Sequence, residues 1–115
     1  MSAALRLTDE AGLSTLIADS HLAPVLIFKH STRCSISSMA LNRIEKAIPA
    51  LTFHLVDVIA DRSISNRIAE VFSVYHESPQ LLLIHQGECV YDASHLEIQA
   101  GEIASELSRY QKLNP

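Results

Sequence analysis

The chain has 115 residues, 48% of them hydrophobic and 19% charged, which is the balance of a globular domain rather than a disordered segment. A net charge of −4 with nine scattered Lys and Arg gives no basic patch, which argues against nucleic acid as a partner class. The longest apolar runs, Val25–Phe28 and Leu81–Ile84, are far short of the about 20 residues that a bilayer span needs.

Thr8, followed by Asp9 and Glu10, predicts a helix N-cap with acids in the first turn, where the helix dipole favours them. Leu13, Leu16 and Ile17 then form an apolar stripe that stops near Ser20, ahead of Pro24. Val25-Leu26-Ile27-Phe28 reads as a strand buried on both faces. After Cys34 the period becomes helical, with Ile36, Ala40, Ile44 and Ala47 or Ile48 on one face; Pro49 predicts an end at Ile48. Phe53–Val58 predicts a second strand, and Asp61 or Ser63 the cap of a third helix facing inward through Ile64, Ile68 and Val71 or Phe72. Leu81–Ile84 and Cys89–Tyr91 flank Gln86-Gly87-Glu88, a hairpin signal. A last helix carries Ile103, Leu107 and Tyr110 on one face, with Glu102 near its start and Lys112 near its end.

The predicted order is α-β-α-β-α-β-β-α, within a single domain spanning residues 1–115. Strands separated by helices pair in parallel through crossovers, and the hairpin is antiparallel. A four-stranded mixed sheet flanked by helices satisfies this order. With Cys34 at a helix N-terminus and Ser78-Pro79 opening a later strand, it resembles the thioredoxin-like α/β arrangement preceded by one helix. In that fold the X-Pro bond equivalent to Ser78-Pro79 is cis and lies beside the nucleophile.

Thr32-Arg33-Cys34-Ser35-Ile36-Ser37 carries the chemistry. A thiolate, not a thiol, attacks disulfides, and unpaired N–H groups at a helix N-terminus favour the charged form. Cys34 is therefore the candidate nucleophile, and Ser35 and Ser37 are candidate donors toward its sulfur. Lys29, His30 and Arg33 are close in sequence and are candidates to add positive potential there, their directions not being set by the sequence. Ser37 occupies the place of the resolving cysteine in Cys-x-x-Cys, so an external thiol must release any mixed disulfide formed at Cys34. Ser78 and Pro79 are candidate contacts for a disulfide-bearing partner. In glutathione-binding relatives of the thioredoxin-like fold the loop between the hairpin and the last helix meets the carboxylate end of a bound thiol, so the resemblance makes Ser94 and His95 candidates for the anionic end of such a thiol.

Cys89 reads as a packed, inert thiol on the same strand face as Tyr91. The six histidines match no standard ligand spacing, and no metal site is expected. Two cysteines and no export signal point to a reducing cytoplasm.

Lys29–Ser37 is similar to the active-site segment of the monothiol bacilliredoxins of the YtxJ-like type, and Ser65–Glu70, Val74–Gln80 and Ala93-Ser94-His95 are similar to later family segments. Family members usually carry proline directly after the cysteine; Ser35 stands there in this chain and adds an N–H donor. The resemblance implies a thiol-disulfide oxidoreductase that removes bacillithiol, a low-molecular-weight thiol, from protein mixed disulfides through Cys34. It implies bacillithiol as co-substrate, no tightly bound cofactor, S-thiolated cytosolic proteins as partners, and a monomer or weak dimer. The rival readings are a thioredoxin-fold binding or redox-sensing module with little turnover, and an iron–sulfur carrier. The carrier reading lacks its Cys-Gly-Phe-Ser motif and the paired glycines expected near Ala93-Ser94.

Overall fold

A computed structural model describes residues 3–47 and 52–111. Along the chain run β1 (Ala3–Arg6), α1 (Glu10–Asp19), β2 (Val25–His30), α2 (Ser35–Ala47), β3 (Thr52–Asp57), α3 (Arg62–Phe72), β4 (Gln80–His85), β5 (Glu88–Ser94), a 3-10 turn (His95–Glu97) and α4 (Ala100–Gln111). Among the described residues the strands form one mixed sheet of order β1-β3-β2-β4-β5. β3 runs parallel to β1 and β2, while β4 is antiparallel to both β2 and β5. No helix among these residues is long and apolar enough to cross a membrane.

The sheet has five strands where the sequence predicts four. β1 carries no strand signal because Ala3-Ala4-Leu5-Arg6 holds no β-branched or aromatic residue and its members favour helix. Pairing with β3 decides its state: Leu5 sits opposite His54, and the Leu7 N–H continues the ladder to Leu55 O at 2.9 Å. The first helix is capped by Asp9, not Thr8, the Asp9 carboxylate accepting from Gly12 N at 2.8 Å. Asp61 does precede α3, but its carboxylate is paired with Arg6 of β1 and makes no cap bond. The expected α2 end at Ile48 and Pro49, and Lys112, lie outside the described residues.

Burial divides by sheet face. Leu26, Phe28, Phe53, Leu81 and Leu83 pack with Ala40 and Ile44 of α2 and Ile103 of α4. Ile27, Val56, Leu82 and Ile84 pack with Leu13 and Leu16 of α1 and Ile64 and Ile68 of α3. Alternation along β2 and β4 thus feeds two cores, which is why both strands carry long apolar runs.

In β5 the alternation breaks. The register passes from Leu83 opposite Tyr91 to Ile84 opposite Cys89, so Val90 is the extra residue of a bulge. Cys89 joins the α1/α3 core while Tyr91 packs on the α2/α4 side, contrary to the shared face expected from simple alternation.

Gln86 and Gly87 both take positive φ, 53° and 78°, and close the β4–β5 hairpin in the primed turn that suits strand twist. Buried Ser20, just past α1, holds this turn. Its carbonyl accepts from Gln86 N and its hydroxyl from Gly87 N, both at 2.9 Å, while Ser20 Oγ–H donates to Ile17 O at 2.6 Å. Ser20→Ala leaves the Gly87 N–H unpaired and should cost about 1–3 kcal/mol in urea unfolding. A loss under about 0.5 kcal/mol, the scale of a neutral surface change, would show that the hairpin does not need the tie.

Candidate active site

β2 ends at His30, and the chain turns through Ser31–Arg33 into α2. The Cys34 N–H donates to Ser31 O at 3.2 Å, and the Cys34 carbonyl accepts from Ser38 N at 3.2 Å. Cys34 is therefore the residue just before the first helical one, its carbonyl already taking the first intrahelical bond. The next backbone N–H groups, from Ser35 onward, belong to the helix's unpaired first turn. Cys34 is a free cysteine, half-buried, with Ser35 exposed beside it.

Ser37 is fully buried, and its hydroxyl faces the end of β2. Ser31 N donates to Ser37 Oγ at 3.0 Å, and His30 Nδ1 lies 2.7 Å from the same oxygen. His30 is half-buried, which lowers its affinity for a proton, while Asp57, its register partner on β3, partly opposes that shift. Asp57 is held low mainly because its carboxylate accepts N–H bonds from Ala60 and Ile59, each at 3.0 Å.

Lys29 points the other way. It is wholly buried on the α3 side, its ammonium donating to Ser65 O at 3.0 Å and lying 3.2 Å from His76 Nδ1. A lysine directly after an apolar buried run is the visible sign of this arrangement in the sequence; its partner, His76, carries no such signal. Burial pushes the Lys29 amine down to about 8. Burial, then Lys29 and Arg62, lower the proton affinity of His76.

The segment leading into β4 is fastened at several points. Lys29 meets His76, Gln80 Nε2 donates to Tyr75 O at 2.9 Å, and His95 N donates to Pro79 O at 3.0 Å. The Ser78–Pro79 peptide is cis, and Ser78 Oγ is buried with no hydrogen-bond partner among the described residues. Gln80 pairs with Lys29 on one side and Ser94 on the other, so one further step of register sets Pro79 against His30. His95 takes φ +54°, an uncommon conformation for a residue with a side chain, and its Nε2 lies 3.6 Å from Glu77 Oε1. Cys34, Ser35, Ser37, Ser78, Pro79, Ser94 and His95 thus share one end of the sheet.

Cys89 lies at the other end of β5, paired opposite Ile84. Its thiol donates to Tyr91 O at 3.4 Å, and burial, with Asp92 adding to it, pushes its pKa up to about 11. Among the described residues no three His, Cys, Asp or Glu side chains gather as a metal site.

Residues 5–103 match the family of the monothiol bacilliredoxin BrxC. The chain belongs to the monothiol bacilliredoxin family. A protein provisionally described as an oxidoreductase with a thioredoxin fold shares 26% identity at TM-score 0.78, covering 90% of this chain and 92% of its own. A mutant thioredoxin from Halobacterium salinarum NRC-1 superimposes at TM-score 0.72 with 20% identity (98% and 95% covered). Fasciola hepatica thioredoxin superimposes at 0.68 with 19% identity (92% and 98% covered). The thioredoxins share the fold, and the bacilliredoxin is a thiol-disulfide oxidoreductase in general class.

Lys29 provides a test of the buried site. Unfolded lysine keeps its proton to about 10.5, and folded Lys29 loses it at about 8. In that window the unfolded chain binds more protons, so stability rises with pH. Lys29→Met should be more stable than the parent at neutral pH by about 1–3 kcal/mol, with the gap closing between about pH 8 and pH 10.5. Urea melts showing a gap that is constant with pH would contradict a desolvated ammonium.

Proposed function

We propose that this bacilliredoxin removes bacillithiol from S-thiolated proteins in a reducing cytoplasm, with Cys34 as nucleophile and free bacillithiol as co-substrate. The observation that carries the reading is Cys34 at the mouth of α2 with Ser37, not a second thiol, three residues on. Cys34 attacks the bacillithiol sulfur of the mixed disulfide. A new S–S bond forms at Cys34, the old one breaks, and the protein sulfur leaves as a thiolate that takes a proton from water. Because Ser37 cannot close an internal disulfide, a second bacillithiol thiolate attacks the Cys34 adduct. That step gives oxidised bacillithiol and returns Cys34 reduced.

The unpaired N–H groups around Ser35 and the positive end of α2 favour an anionic sulfur. Ser37 adds a hydroxyl to the same turn. Ser78 and Pro79 are the contacts for the substrate backbone, and Ser94 and His95 those for the carboxylate end of the small thiol. An apolar rim supports docking of a protein: Ile36, Ile59, Tyr75 and Leu96 are exposed large hydrophobics on four segments around this end of the sheet, Tyr75 at 92%.

The reading predicts an adduct of one bacillithiol on the intact protein after incubation with a bacillithiolated substrate, and its loss in Cys34→Ala. Transfer that is undiminished in Cys34→Ala, or absent from the parent, would overturn it. Parallel exposure to oxidised glutathione reads thiol preference, with bacillithiol expected to load faster.

A further inference from the structure

The hydroxyl of Ser37 has one proton to donate and two lone pairs to accept with. One lone pair is used by Ser31 N–H at 3.0 Å. The contact with His30 Nδ1, at 2.7 Å, has two available directions. While Nδ1 is bare, Ser37 O–H donates into the ring. Once the imidazole is protonated, Nδ1–H must donate instead, Oγ accepts twice, and its own proton needs another acceptor. Ser37 is fully buried, so water does not substitute freely. It is the third residue of α2 and Cys34 the one before the first, a spacing of three that sets two side chains on the same side of a helix's opening turn.

We propose that His30 is a positioning residue for thiol exchange: its protonation turns the Ser37 hydroxyl from the imidazole toward the Cys34 sulfur. The inference rests on the reading of Cys34 as the attacking group. It adds to that group a relay in which Ser37 keeps its own proton and only the direction of its O–H changes; the one bond made is the N–H at His30 Nδ1, whose proton comes from solvent and returns to it when the ring is neutral again. A hydrogen bond to an anionic sulfur is of the stronger, charge-assisted kind.

The groups that set His30's titration come from each neighbouring element. Asp57 on β3 favours the imidazolium, and Arg6 on β1 acts on Asp57. α2 presents Ser37, which does not titrate in this range, and Cys34 at its mouth. The β4 side presents Pro79, and Lys29 of β2 is turned to the opposite face. Burial outweighs Asp57, so the switch operates on the acid side of the ordinary histidine range.

The test is the rate of Cys34 alkylation by iodoacetamide against pH, in a Cys89→Ala background with fold checked by thermal melting. The parent should show a shoulder on the acid side, where reactivity persists as His30 protonates. His30→Gln and Ser37→Ala should each lose it, reacting about tenfold more slowly there. Ser37→Thr, which keeps the hydroxyl, should restore it. A shoulder surviving in Ser37→Ala, or a parent profile without one, overturns the relay while leaving Cys34 as nucleophile. A Cys34 that fails to alkylate at any pH overturns both.

Discussion

The position of β2 in the middle of the sheet is the constraint from which the site follows. Leu26, Ile27 and Phe28 are buried to 2% exposure or less, each contributing about 1.5–3 kcal/mol of apolar burial, and they fix which way the strand faces along its length. A strand parallel to β3 must be left by a crossover helix, and that crossover starts where β2 ends. Cys34 is therefore delivered to the end of the sheet by topology. The antiparallel β4 enters at this same end and brings Pro79; β5 leaves there and brings Ser94 and His95. Segments far apart in sequence meet because one strand is paired on both sides.

At its last two positions β2 changes from apolar to basic, and pleating sends the two side chains to opposite faces. His30 goes to the α2 side and engages Ser37; Lys29 goes to the α3 side and engages His76. One contact addresses the turn carrying the sulfur, the other the segment carrying Pro79. The Lys29 ammonium is met by a carbonyl and an imidazole rather than a carboxylate, and its depressed proton affinity reflects the cost of that burial. Retaining such a group in a core where an apolar chain would fit is the pattern of a site that gives up stability for placement.

Much of this is readable in the chain. The apolar runs of β2 and β4, the helical spacing after Cys34 and the Gln86-Gly87 turn each carry a local signal strong enough to survive folding, and the family resemblance joins the distant segments. The departures have a common cause in tertiary contacts. β1 is a strand because β3 lies beside it, not because its residues prefer extension. Asp9 rather than Thr8 caps α1 because it is the Asp9 carboxylate that meets the Gly12 N–H. Cys89 changes face because of a bulge that no residue of β5 announces. In the site, Ser37 is legible as the substitute for a thiol, but its bonds to His30 and Ser31 depend on a turn whose path is not encoded by periodicity. The ties of His76 to Lys29 and of Glu77 to His95 are hidden for the same reason.

Two half-buried cysteines in one small domain sit in different surroundings, one at the mouth of a helix and one within a hairpin strand. Peptide mapping after brief iodoacetamide treatment of the native, reduced protein at neutral pH reads both at once. Cys34 should be carboxamidomethylated while Cys89, whose thiol is pushed up to about 11 and bonds Tyr91 O, stays unlabelled until the protein is unfolded. Equal labelling of the two in the native state, or labelling of Cys89 first, would contradict this assignment.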